Sequence, residues 1–104
     1  MIREAKNEGL PLTVETCPHS LSFATESIPE SDTRFKCAPP IRERENNRLL
    51  WEAVCDGTID FVVSDHSPAS PELKELETGN LKDAWGGIAS LQFTLPVMCT
   101  LAVQ

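Results

Sequence analysis

The chain has 104 residues, 40% of them hydrophobic, with sixteen acidic against nine basic residues and a net charge of −7. That length allows one small core and falls well below the roughly 250 residues of a complete (β/α)8 barrel. An acidic balance without a Lys/Arg cluster leaves nothing to neutralise phosphates, which argues against nucleic acid and membrane surfaces as partners.

Residues 2–8 have the look of the last turns of a helix, with Gly9 as a left-handed stop and Leu10-Pro11 leading the chain away, so the chain is expected to begin mid-fold. Residues 12–16 are a short β-favouring run whose end holds Cys17, Pro18 and His19. Polar residues and Pro29 form a link, residues 34–37 are expected to extend briefly, and Pro39-Pro40 stops them. Residues 43–56 place Leu49, Leu50, Ala53 and Val54 at helical spacing before Gly57. Residues 59–63, an apolar β-branched run, have the character of a strand buried in a parallel sheet and are broken by Ser64-Asp65-His66-Ser67-Pro68. Residues 71–80 are an acidic loop or short helix. Trp85-Gly86-Gly87 is a permissive turn into a helix expected from Ile88 and kinked or ended at Pro96.

The tail from 88 to 103 is interrupted by Ser90, Gln92, Thr94, Pro96 and Thr100, too polar for a membrane span of ~20 apolar residues, and the chain reads as soluble. Charge begins at Arg3, so no signal peptide is visible; a cytoplasmic or organellar location is expected. Cys17, Cys37, Cys55 and Cys99 form no Cys-x-x-Cys pair, which favours free buried thiols over a zinc ribbon or redox motif.

The alternation of helices with apolar strands predicts an α/β fold of βα units around a parallel sheet. Both strands end in a short polar motif, Thr16-Cys17-Pro18-His19 and Ser64-Asp65-His66-Ser67-Pro68, so the two motifs would share the rim where barrel enzymes do their chemistry. Asp65 there has two readings: a carboxylate that binds a metal and moves a proton, or a loop-capping residue bonded to nearby backbone. Ala38, held before Pro39, offers its main-chain groups in a set direction.

Four ordered segments carry a resemblance: Val14-Glu15-Thr16-Cys17-Pro18-His19, Phe35-Lys36-Cys37-Ala38-Pro39-Pro40-Ile41-Arg42, Ser64-Asp65-His66-Ser67-Pro68 and Ala84-Trp85-Gly86-Gly87-Ile88-Ala89-Ser90-Leu91-Gln92. Over nearly its whole length the chain resembles the allantoinase branch of the cyclic amidohydrolases, a family shared with dihydropyrimidinases, hydantoinases and dihydroorotases. The resemblance implies the C-terminal portion of a TIM-type (β/α)8 metal-dependent hydrolase barrel spanning 1–104 with no second domain. It implies hydrolysis of the hydantoin ring of allantoin to allantoate, two metal ions, usually zinc, and a homo-oligomer when full length. Asp65 matches the family's aspartate at the end of the last barrel strand, a catalytic residue and metal ligand. The early His-x-His pair, the bridging carboxylated lysine and two further histidines have no counterpart here, so the 104 residues alone are expected to be inactive.

The resemblance further places main-chain atoms near Ala38 and Gly86 on the imide edge of the ring. Trp85 either covers the ring or packs on the barrel, and His19 and His66 support the site from behind its metal ligands. Relatives usually carry Tyr where this chain has Ser20. Arg42 is expected to pair with Glu43 or Glu45 rather than with substrate. Two rival readings are a non-catalytic partner docking on barrel subunits through unpaired edges and a hydantoinase or dihydroorotase specificity.

Overall fold

The computed structural model describes residues 1–103. In chain order it contains helix α1 (Ile2–Asn7), strand β1 (Glu15–Thr16), helices α2 (Pro18–Ser22) and α3 (Arg44–Cys55), strand β2 (Phe61–Val62) and helix α4 (Thr94–Ala102). Turns of 3-10 type lie at Thr25–Ser27, Thr33–Phe35 and Leu91–Phe93.

The helix stops follow the glycines. Past α1, Gly9 takes φ +76° and donates to the Lys6 carbonyl while Leu10 donates to that of Ala5, the paired bonds of a Schellman stop. Gly57, φ +77°, ends α3 in the same conformation, its N–H on the Val54 carbonyl. Each glycine turns the chain into a strand. Those strands run parallel, with Glu15 opposite Phe61 and Thr16 opposite Val62. The ladder continues on either side: Asp60 N–H donates to the Val14 carbonyl and Val63 N–H to that of Thr16, both at 2.9 Å. The Asp60 carboxylate pins the entrance, accepting from Val14 N–H at 2.8 Å and from Lys6 Nζ at 2.6 Å.

Four expectations are corrected by the geometry. The strands are shorter than the apolar runs, and Phe61 is 45% exposed, because β2 is flanked by β1 alone among the described residues. Residues 34–37 do not extend. Asp32 accepts the Arg34 N–H at 3.2 Å and grips its guanidinium at 2.6 and 2.8 Å, which winds Thr33–Phe35 into a 3-10 turn. No helix starts at Ile88, which forms a parallel bridge with His66. Helix α4 begins at Thr94 instead, so Pro96 falls in its first turn, where a missing N–H costs no intrahelical bond. Two of the cysteines expected to be buried, Cys55 and Cys99, are exposed.

The core is small: Leu21, Ala24, Ile41, Ile59 and Ala84 are buried, and Phe23 meets Phe35 edge to face at 4.9 Å. Polar ties supplement it. Asn47 on α3 donates through Nδ2 to the carbonyls of Ser20 at 2.7 Å and Phe23 at 2.8 Å, satisfying two carbonyls at the end of α2 that have no partner in so short a helix. Replacing Asn47 by Ala is expected to destabilise the protein by about 1–2 kcal/mol, read as a lower urea midpoint with an unchanged slope.

Candidate active site

Parallel pairing sends both strands out at the same edge, and the polar motifs follow at once. Cys17 is the N-cap of α2, in extended conformation, and Pro18 occupies the first turn with its fixed φ. That turn carries His19 back over the strand ends, where it is 6% exposed and its Nδ1 has no hydrogen-bond partner. From the other strand Asp65 arrives with φ +47°, a left-handed conformation that Asp tolerates better than most residues, and stays exposed. One ligand atom each of Cys17, His19 and Asp65 lies within 4.8 Å of the other two. Thiol, imidazole and carboxylate thus converge on one point of the rim.

The electrostatics favour the imidazole as a donor and keep Cys17 a protonated thiol. Burial pushes the Cys17 thiol up, and the carboxylates of Asp65 and Glu15 push it further. Burial holds His19 below the usual imidazole range, with Asp65 opposing in part. His19 therefore presents a neutral ring at pH 7, the form that can donate a lone pair.

His66 is placed differently. Its Nδ1 accepts from the N–H groups of Ser90 at 3.1 Å and Leu91 at 3.2 Å, fixing the turn that leads into α4, and it is not part of the cluster. The Ser90 hydroxyl donates to the Ser64 carbonyl, a second tie between the same segments. Arg42 faces Glu43 at 3.3 Å, one of its two expected partners, whereas Glu45 pairs with Arg48.

Ala38 and Gly86 are exposed, and among the described residues their main-chain N–H and C=O groups make no hydrogen bonds. Their segments are joined where Gly87 N–H donates to the Lys36 carbonyl at 2.9 Å. Trp85 is 49% exposed, and its indole N–H donates to Ser67 Oγ at 3.2 Å, which holds it against the Asp65 loop. The two adjacent glycines differ in the room around them. A Cβ on Gly87 would lie 2.6 Å from Ser67 Cβ and 2.8 Å from its carbonyl oxygen, whereas one on Gly86 would meet nothing within 4 Å.

Reading the sequence missed Lys74. It lies in the acidic stretch that resembled a solvated loop, yet it is 8% exposed and its Nζ donates to the carbonyls of Lys36 at 3.1 Å, Trp85 at 3.1 Å and Gly87 at 2.7 Å. The one signal available was its setting between Leu73 and Leu76, apolar residues in an otherwise charged segment.

No protein-family model matches the chain. In structure it is similar to an L-hydantoinase (dihydropyrimidinase) from Arthrobacter aurescens, with a TM-score of 0.89 at 34% identity over 98% of this chain and 23% of that one. The fold is that of part of the (β/α)8 barrel of such hydantoinases, the architecture that the resemblance implied. In sequence the likeness is to allantoinases. The chain is 60% identical over 97 residues to the allantoinase of Arabidopsis thaliana, covering 93% of this chain and 19% of the plant protein. It is 54% identical over 100 residues to that of Saccharomyces cerevisiae, covering 96% and 22%. The chain thus spans about a fifth of the length of the curated relatives it matches.

The two glycines are expected to differ in their effect on stability. Gly87→Ala is expected to cost about 1–3 kcal/mol through overpacking against Ser67, and Gly86→Ala to stay within about 0.5 kcal/mol of the parent. Thermal or urea denaturation of both variants checks the contrast.

Proposed function

We propose that this chain forms part of the active-site rim of a cyclic-amide hydrolase that opens the hydantoin ring of allantoin to give allantoate. The observation that carries the reading is the meeting of Cys17, His19 and Asp65 within 4.8 Å at the shared end of two parallel strands. Four-fifths of the curated relatives' length lies outside the matched segment, so the activity is proposed for an enzyme as a whole.

The donor set fits a divalent metal ion such as zinc. A neutral imidazole with a buried, unpartnered nitrogen and a carboxylate are ligands that zinc accepts, and a cysteine becomes one on losing its proton; Asp65, with Cys17 and His19 beside it, would hold the ion. When bound, such an ion polarises a carbonyl and makes water more acidic. The chain's own residues supply the rest. The Asp65 carboxylate takes a proton from the attacking water as its oxygen bonds to the ring carbonyl carbon, then delivers that proton to the ring nitrogen as the carbon–nitrogen bond breaks. The free main-chain groups of Gly86 and Ala38 hold the ring's imide edge, and the exposed indole of Trp85 stands beside it.

In the intact enzyme Asp65→Asn is expected to lower kcat on allantoin by about 10²–10⁴-fold or more; normal turnover would remove Asp65 from this role. His19→Ala is expected to weaken zinc retention by about 10–100-fold, whether it ligates the ion or orients a ligand, as measured by metal content after dialysis against graded chelator. The 104 residues expressed alone are expected to show no turnover, since the metal set implied by the resemblance needs ligands from elsewhere.

A hydantoinase specificity is the second reading, favoured by the structural likeness at 34% identity. Identity of 54–60% to allantoinases weighs against it. Allantoin, dihydrouracil and dihydroorotate offered side by side decide the matter, with fastest turnover expected on allantoin.

A further inference from the structure

Lys74 is a buried cation with no carboxylate within salt-bridge distance among the described residues. Its three ammonium protons are met by three carbonyls, on Lys36, Trp85 and Gly87. An ammonium has three donors and no acceptor, so this set is complete. A neighbouring lysine repeats the arrangement on the same loop. Lys36 Nζ donates to the carbonyls of Lys82 at 3.1 Å and Ala84 at 2.5 Å.

The consequence for Gly86 follows from peptide planarity. In a trans peptide the C=O and the N–H of one unit point in opposite directions. The Trp85 carbonyl is turned inward onto Lys74, so the N–H of Gly86, in the same unit, is turned away from it. The next unit joins Gly86 C=O to Gly87 N–H. That N–H is turned inward onto the Lys36 carbonyl, so the Gly86 C=O also faces outward. Both Gly86 groups are thereby presented to the open side of the loop, unpaired and with no atom within 4 Å of the position a Cβ would take. A donor and an acceptor on adjacent peptide units are the complement of an amide edge, which offers one C=O and one N–H.

We propose that Lys74 is a positioning residue for the ring-binding edge: its ammonium, together with the Lys36 carbonyl, locks the two peptide units flanking Gly86 so that they read the N–H and C=O of a cyclic imide. This rests on the proposed function and specifies how its substrate is recognised. The role needs three donors converging from one buried cationic atom. Methionine fills similar space but donates nothing, and arginine keeps the charge but spreads its donors over a planar fork.

The test uses the intact protein and two probes, hydantoin and its N-methylated analogue, which lacks one edge donor, with binding followed by calorimetry. The parent is expected to prefer hydantoin by about tenfold, the scale of one or two hydrogen bonds. Lys74→Met is expected to bring that ratio close to one, whereas Leu21→Ala, which loosens the buried core, is expected to lower thermal stability and leave the ratio unchanged. A Lys74→Met protein that keeps the parental ratio overturns the proposal while leaving the hydrolase reading intact. A parent that turns over allantoin yet binds neither probe overturns this proposal alone, and one that neither binds the probes nor turns over allantoin overturns the hydrolase reading with it. If Lys74→Met does not fold, Lys74→Arg is read in the same way: an intermediate ratio supports the role and the parental ratio overturns it.

Discussion

Asp60 N–H on the Val14 carbonyl and Val63 N–H on the Thr16 carbonyl bracket a parallel pairing only two residues long by formal assignment. Everything at the rim depends on that register. A slip of one residue would turn every side chain of one strand to the opposite face and move the Asp65 loop along the sheet by about 3.3 Å, close to the whole spacing available to its cluster with Cys17 and His19. So short a ladder does not resist slippage by its own hydrogen bonds. The Asp60 carboxylate supplies what the backbone lacks, binding the first N–H of the partner strand and the Lys6 ammonium together. The pair sits 32% and 21% exposed, where screening is partial, and its value lies in fixing a position more than in adding stability.

On the far side of the rim the same need for fixed position is met by a cation. Loops cannot bury their backbone unless each carbonyl finds a donor. The 82–87 segment carries five glycine, alanine, tryptophan and acidic positions after Lys82 and no regular structure to pair them. Two ammonium groups do the pairing, Lys74 from within and Lys36 from the side. Burial lowers the Lys74 pKa, as expected for a charge removed from water, yet three oriented carbonyl dipoles solvate it in place of a carboxylate. A carboxylate there would have attracted the ammonium to itself and released the loop.

Much of this was legible from residue order. Gly9 and Gly57 marked both helix stops, the apolar run at 59–63 marked a strand, and two polar motifs at strand ends marked a common rim. What escaped reading was decided by particular bonds, one local and the others to partners far along the chain. Asp32 winds residues 33–35 because of a local bond to Arg34 that competes with extension, and Ile88 joins a bridge because His66 reaches it. Lys74 escaped because burial of a lysine depends on carbonyls 11, 13 and 38 residues away, which no local pattern records. His19 was taken as a supporting feature, and the helical turn that begins at Pro18 holds it within 4.8 Å of Asp65 and Cys17 by their ligand atoms.

Ala38 and Gly86 mark the limit of side-chain reasoning most clearly. Neither carries a functional side chain; Ala38 was singled out by the proline that follows it and Gly86 by the resemblance. Their proposed use lies in main-chain atoms, and a main-chain atom becomes specific only when its peptide plane is held. At Gly86 both planes are held from outside, one by an ammonium and one by a carbonyl, while glycine itself leaves the approach unobstructed. A planar ring with alternating C=O and N–H groups presents little for side chains to grip and a well-defined edge for a peptide to match. On the proposed function a division of labour follows from that chemistry: side chains of the two strand ends would gather at the reacting carbonyl, and the fixed backbone of the lysine-bound loop would read the ring.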